Sequence, residues 1–315
     1  MNKEPAILQN IQTKAEPVPR KKRRWGMKLL TPWLFLLPAI LILGIFLVLP
    51  ILEAFKWSFL DYKIIADTGE FVGLENFKEI FTDDNFWLAL INTLVFLAIV
   101  LPMNIFLPMV LAVLVNQKIK GVGIFRILYY LPVITPMVVA ALMWKMLYSQ
   151  SGLISKFLVS LGVFDSPTNL LVQSSTALAA VAAITVWKGL GYYMIIYLAG
   201  LQSIPKDVYE SASIDGASLF QQFRHITVPM LVPSVTLVSV MTIIAGMKVF
   251  EEIALTTNGG PSGATTTLVM YIYDKFKSLD VSIASAAGLI LLLLAIAASL
   301  LQMKLTSKRE DDLRA

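Results

Sequence analysis

The chain has little with which to make or break covalent bonds. It carries one histidine, His225, and no cysteine in 315 residues. That excludes disulfides, thiolate metal sites and cysteine nucleophiles, and it argues against a Ser-His-Asp triad or a histidine-built metal site. A G-x-x-x-x-G-K-[ST] phosphate loop is missing too, so the chain does not bind a nucleotide in that way. The residues that remain chemically expressive fall in two places. One is a polar stretch, 201–228, with Tyr209, Glu210, Ser211, Ala212, Asp215, Gly216, Ala217 and Phe223. The other is an apolar setting that holds Thr185, Trp187, Lys188, Gly189, Gly191, Tyr192 and Tyr193, and further on Thr242, Gly246, Met247, Lys248, Phe250 and Glu251.

The second set suits reversible binding. Aromatic faces stack on the C–H surfaces of sugars, and small residues leave room beside them. Thr185, Trp187, Lys188, Gly189, Tyr192, Thr242, Gly246 and Phe250 are therefore candidate solute contacts. Aromatics at such positions also suit packing or anchoring at an interface. Lys188 falls close to the centre of its apolar segment, where a charge is costly and invites a functional explanation. It could meet the solute, or pair with a carboxylate on a partner. The lysines hint at an acidic solute, and Glu251 and Glu252 offset that hint by restoring neutrality.

The elements that must position these residues are membrane spans. Hydrophobic residues make up 57% of the chain and charged ones only 15%, with a mean hydropathy of +0.73. The apolar residues fall in long blocks, each able to cross the roughly 30 Å hydrocarbon core. Six spans are expected, at about Trp33–Leu52, Trp87–Val115, Ile124–Tyr148, Thr176–Ala199, Thr227–Phe250 and Val281–Met303. The first is too long for a signal-peptide core and has no small-residue cleavage site after it. Pro102 and Pro108 suggest a tilted or kinked second span, and the third carries Pro132 and Pro136. Residues 1–28 read as a basic tail around Arg20-Lys21-Lys22-Arg23-Arg24, 29–304 as the transmembrane domain, and 305–315 as a second tail. The net charge of +5 follows the usual bias toward basic cytoplasmic segments better than it suggests nucleic acid. With the N-terminus inside, the basic run, Lys118, Lys120, Arg126, Lys206, Arg224 and Lys304 fall on the cytoplasmic side. The first outer loop is then acidic, which favours both termini in the cytoplasm. Within Ile51–Phe86, residues Phe71–Phe77 read as a short ordered element of an outer cap.

The stretch 201–228 is too polar to span and too patterned for a slack linker. Pro205 suits a first helical turn. Tyr209, Ala212, Gly216, Phe220 and Phe223 recur every three or four residues and are expected on one face. Gly216 allows a sharp bend, and Ser218 with Gln221 reads as a capping box for a second helix. The expectation is two short helices joined at a glycine elbow, with Glu210 and Asp215 free to pair with a partner. A lipid-surface helix would carry more Lys and Arg than Lys206 and Arg224.

Tyr209-Glu210-Ser211-Ala212-Ser213-Ile214-Asp215-Gly216-Ala217, followed by Phe223, Ile226, Pro229 and Pro233, resembles the EAA loop of binding-protein-dependent ABC importer permeases. Ser211 stands where that family usually has Ala. Phe71-Val-Gly-Leu-Glu-Asn-Phe77, Asn92-Thr93, Trp187-Lys188-Gly189 and Leu255-Thr-Thr-Asn-Gly-Gly-Pro261 resemble the carbohydrate branch, which contains the maltose and glycerol-3-phosphate permeases. The resemblance implies an all-α polytopic membrane protein of six transmembrane helices with the type I ABC importer permease (MetI-like) fold. It also implies a non-enzymatic role in carbohydrate import and a place in the bacterial cytoplasmic membrane. The partners it implies are a second homologous permease, a cytoplasmic ATPase dimer that binds the ATP, and an extracytoplasmic solute-binding protein. On this resemblance the elbow residues couple to the ATPase, and Gly189, Tyr192, Thr242 and Gly246 match positions that touch sugar. A secondary transporter or channel working without an ATPase is the competing class. It should show internal repeats and carboxylates within spans, and neither is evident.

Overall fold

The computed structural model describes residues 25–117 and 120–314. The basic run 20–24 and Lys118 lie outside them. Two compact units divide the chain, residues 1–52 and 53–315. The first holds α1 (Trp25–Leu43), a π-helical turn (Gly44–Val48) and the start of α2 (Leu49–Trp57).

In the second unit, a hairpin of β1 (Leu60–Lys63) and β2 (Thr68–Phe71) follows α2 and pairs Leu60 with Phe71 and Lys63 with Thr68. Next come α3 (Glu75–Thr82), α4 (Asp84–Val115), α5 (Val122–Ile134), α6 (Met137–Tyr148), α7 (Leu153–Ser160) and α8 (Ala177–Ser203). The polar stretch forms α9 (Lys206–Ile214) and α10 (Leu219–Gln222), continued by a second π-helical turn (Phe223–Thr227) and α11 (Val228–Met230). The chain ends with α12 (Val232–Met247), α13 (Glu251–Thr256), α14 (Leu268–Lys277) and α15 (Val281–Arg314).

Among the described residues, four helices are long and apolar enough to cross a membrane, at Pro32–Trp57, Asp84–Val115, Ala177–Ser203 and Val281–Thr306. The count reaches six only if two bent pairs are each one span. The expected third span is thus not one straight helix. It breaks between α5 and α6, which diverge by 100°. Pro136 has no N–H and pushes the residue before it out of the helical region, and Thr135 is extended, with φ −70° and ψ 125°. The expected fifth span also breaks, with 64° between Leu219–Met230 and Val232–Met247, and α12 stops before Phe250. Pro102 and Pro108 sit inside α4 without ending it.

Helix α8 lies at the centre and packs against α4, α5, α6 and α12. Its buried faces are rich in Ala177, Ala180, Ala182 and Gly191. Small residues let helix backbones approach closely, which matters in lipid, where apolar burial alone gives no drive to associate. Gly191 shows the limit of this: a Cβ there would sit 2.3 Å from the Tyr129 carbonyl oxygen on α5. Large apolar side chains such as Ile91, Leu94, Val138, Met146 and Leu293 are exposed, as a lipid-facing surface requires.

The hairpin, α3, the start of α4, α14 and the start of α15 gather at one end. Asn76 Nδ2 donates to the Ser58 and Leu60 carbonyls, both at 2.9 Å, and the Tyr62 N–H donates to Ser282 Oγ at 2.8 Å. The ordered element expected at Phe71–Phe77 is the end of β2 and the start of α3. At the other end, the last turns of α4 and α8 pack with Tyr209 and Phe223 of the elbow around Met109, Ala112, Leu201 and Leu231.

Candidate functional site

The stretch 206–222 folds as two helices around a fixed elbow. Helix α9 closes with the Ala217 N–H on the Ala212 carbonyl (2.9 Å) and the Gly216 N–H on the Ser213 carbonyl (3.1 Å). These are the two bonds of a Schellman cap, which needs a left-handed residue at its centre. Gly216 supplies it with φ +80°. Ser218 then starts α10 with a complete capping box: the Gln221 N–H donates to Ser218 Oγ (3.3 Å), and the Ser218 N–H donates to Gln221 Oε1 (2.7 Å). Gln222 Nε2 ties the helices together through Ser213 Oγ and the Ala217 carbonyl, both at 3.1 Å. Tyr209 Oη and Thr227 Oγ1, 2.9 Å apart, fasten α9 to the following turn.

Tyr209, Ala212, Ala217 and Phe223 are half-buried on the inner side of the elbow, while Glu210, Ser211, Asp215 and Gly216 are exposed. Phe220 departs from the expected common face. It is 69% exposed, as the elbow turns α10 away from the line of α9. With Ile214 and Leu219, 86% and 85% exposed, it forms an apolar rim that the spacing did not reveal. An open cavity of about 270 Å³ beside the elbow is lined by Asp215, Gly216, Ala217, Gln221, His225 and others. Neither Glu210 nor Asp215 has an ion-pair partner among the described residues.

The candidate solute contacts are distributed over α8, α12 and the residues just beyond α12. Trp187 and Phe250 both pack against the apolar cluster that contains Phe96, Ile184 and Ile253. Trp187 also meets Trp144 edge-on, with centroids 5.6 Å apart. Gly189 lies beside Tyr193 and Asn104, so that a Cβ would come 3.0 Å from the ring and 3.3 Å from Asn104 Oδ1. Thr242 neighbours Tyr193, and Gly246 faces Leu97. Tyr192 is 42% exposed and touches Tyr193 at 5.5 Å between centroids. Lys188 donates from Nζ to the Thr135 carbonyl at 2.9 Å, so its nearest partner is backbone.

Among the described residues, the buried polar atoms of this interior without a hydrogen-bond partner include Asn104 Oδ1, Thr185 Oγ1 and Thr242 Oγ1. Buried groups of this kind are normally paired, so each has capacity for a further hydrogen bond. Thr185 and Thr242 are among the solute contacts expected from the sequence. Asn104 was not singled out, although an amide deep inside the apolar α4 was a readable signal.

At the hairpin end, two segments far apart in sequence interlock. Asn92 Nδ2 donates to the Gly263 and Thr266 carbonyls, both at 2.9 Å, and the Leu268 N–H donates to Thr93 Oγ1 at 2.9 Å. Asp83, which caps α4, accepts from Tyr271 Oη at 2.9 Å and pairs with Lys275 at 3.2 Å.

Residues 84–310 match the family model described as binding-protein-dependent transport system inner membrane component. The chain belongs to this family. The permease is 32% identical over 280 residues to the trehalose/maltose transport system permease protein MalF of Thermococcus litoralis, covering 89% of this chain and 94% of that one. It is 34% identical over 281 residues to the sn-glycerol-3-phosphate transport system permease protein UgpA of Yersinia pestis, covering 88% and 94%. Among solved structures it is similar to a chain of a bacterial alginate ABC transporter in complex with an alginate pentasaccharide-bound periplasmic protein. That likeness has a TM-score of 0.76 at 26% identity and covers 91% of this chain and 98% of the other.

Proposed function

We propose that this permease forms one half of the channel of an ATP-driven importer and passes a sugar or sugar-like solute delivered by an extracytoplasmic binding protein. The elbow carries the reading. It is a double-capped projection with an apolar rim of Ile214, Leu219 and Phe220, and its acids Glu210 and Asp215 have no ion-pair partner among the described residues. Such a surface suits a partner with an apolar cleft and a basic residue. That partner is a cytoplasmic ATPase dimer, which binds the ATP, and a second, homologous permease completes the channel. Both termini then lie in the cytoplasm, with the elbow on that side and the hairpin end outside. The named relatives and the alginate transporter support a carbohydrate as the cargo.

The solute would meet Thr185, Trp187, Gly189, Tyr192, Thr242, Gly246 and Phe250, with Asn104 added to them. The unpaired hydroxyls and amide accept or donate to sugar hydroxyls, and Trp187 offers a stacking face. Purification of the permease from its membrane is expected to bring an ATPase subunit with it. Glu210→Lys is expected to leave the permease in the membrane and release that subunit. Retention of the ATPase and of ATP-dependent uptake in Glu210→Lys would remove the elbow from the coupling surface.

A further inference from the structure

The broken span α5–α6 leaves a backbone group stranded. In a continuous helix the Thr135 carbonyl would accept the N–H four residues on. Thr135 is instead extended, and α6 restarts at Met137 with its first bonds to Pro136. The Lys188 ammonium fills the gap at 2.9 Å, while Thr135 Oγ1 caps the Leu131 carbonyl at 2.9 Å. One lysine from α8 thus holds the corner of a span that turns through 100°.

A second partner stands close by. Helix α13 packs against both α6 and α8. Its half-buried Glu252 lies within electrostatic reach of Lys188 and next to Thr185, whose hydroxyl has no hydrogen bond of good geometry. Glu251 adds repulsion from the same helix. No ion pair within 4.0 Å joins Lys188 to Glu252 in this structure. A carboxylate matches an ammonium better than a carbonyl dipole does, and the interior dielectric magnifies the difference. The lysine therefore has one partner in hand and a better-matched one within electrostatic reach, which is the arrangement of a two-state element.

We infer that Lys188 is a positioning residue for the broken span, passing between the Thr135 carbonyl and the Glu252 carboxylate as the transporter alternates between its two states. Held by Thr135, it fixes the corner described above. Held by Glu252, it frees the corner, and α6 can swing relative to α5 together with α13. This inference rests on the importer reading for the existence of two states driven by nucleotide.

The chain has no cysteine of its own, so Phe125→Cys and Met146→Cys place a single pair of spin labels on it. Both positions are exposed, on opposite arms of the corner. Pulsed dipolar spectroscopy on the assembled transporter in lipid vesicles, nucleotide-free and ATP–vanadate-trapped, reads the angle between the arms. The intact chain is expected to give two distinct distances. Lys188→Met is expected to merge them into one broad distribution in both conditions. Lys188→Arg, which still donates to a carbonyl or a carboxylate, restores two. Glu252→Gln is expected to keep the nucleotide-free distance under trapping, an effect that a purely structural role for Lys188 would not produce. Unchanged paired distances in Lys188→Met, continued switching in Glu252→Gln, or a single distance in the intact chain would each overturn the exchange. No solute enters the measurement. The importer reading fails separately, by the absence of an associated ATPase.

Discussion

The two ends of the second unit are built on opposite terms. At the hairpin end, side chains reach across the sequence to tie backbone to backbone: Asn92 holds two carbonyls of the 256–267 loop, Asn76 holds two of the hairpin, and Asp83 joins the start of α4 to α14. At the elbow end the bonds are local. Most of them close turns within 206–222, and beyond Tyr209 with Thr227 the elbow rests on apolar packing of one face. Its other face presents apolar side chains and unpaired acids to the outside. An end secured by long-range polar bonds resists rearrangement. An end that is rigid in itself but lightly attached can be gripped and moved as one piece. The contrast separates two kinds of damage: variants at the hairpin end should cost stability, and variants at the elbow should cost coupling.

The largest effect is expected from Asn92→Leu, which removes both donors to the Gly263 and Thr266 carbonyls. Each buried acceptor left unpaired costs about 1–3 kcal/mol. Thermal unfolding of the purified protein should shift down clearly, and an unchanged midpoint would show that the hairpin end is not the locked one. Gly216→Val comes next. A side chain at left-handed φ costs about 1–2 kcal/mol, and a β-branched residue fits worst there. No atom lies within 4 Å of a Cβ at this position, so the penalty is conformational and not steric crowding. Populations of the bent elbow, and with them ATP-dependent uptake, are expected to fall about tenfold while the unfolding midpoint holds, since 1.4 kcal/mol is a factor of ten. Gly216→Asn should fall less, because Asn tolerates that backbone region. A fall in stability as large as in Asn92→Leu would erase the distinction between the ends. Ser218→Ala is smaller again. It loses one cap bond, worth about 1 kcal/mol, from a helix of four residues that Gln222 also holds.

Features that depend on neighbours in sequence could be read from the chain. The Gly216 elbow, the Ser218–Gln221 capping box and the four unbroken apolar spans all follow from local composition and spacing, and they stand where they were expected. The breaks were harder to place. Pro132 and Pro136 sit in one span and Pro102 and Pro108 in another, yet only Pro136 divides a helix. Proline at a position whose lost hydrogen bond neighbours can absorb bends little. Whether that holds depends on the tertiary surroundings. For the same reason the partner of Lys188 was out of reach. The cost of its charge was readable, but Thr135 is 53 residues away, and its carbonyl becomes available only because the span is broken. Asn92 and the Leu255–Pro261 motif were both noted in the sequence, but Asn92 bonds to Gly263 and Thr266, just beyond that motif and 171 and 174 positions away. Phe220 was misplaced because a helical period was carried across a residue that ends the helix.

The last expected effect concerns acid. Burial alone would raise the Asp83 carboxyl, but hydrogen bonds from Tyr271, from the backbone and side chain of Asn85 and from Lys275 outweigh it and hold the group below the ordinary carboxylate value. A carboxylate depressed in the folded state contributes stability that is present above its unfolded value and is lost as the pH falls through the folded one. The unfolded value is about 3.9, so the loss should begin near there and continue below it. Asp83→Asn keeps the size of the side chain and its place at the start of α4 while removing the charge. Its unfolding midpoint is expected to lie below that of the intact protein at neutral pH and to converge with it in acid. A gap between Asp83→Asn and the intact protein that persists unchanged into acid would remove the Asp83 charge from the attachment of α4 to α14, and with it one of the bonds that lock the hairpin end.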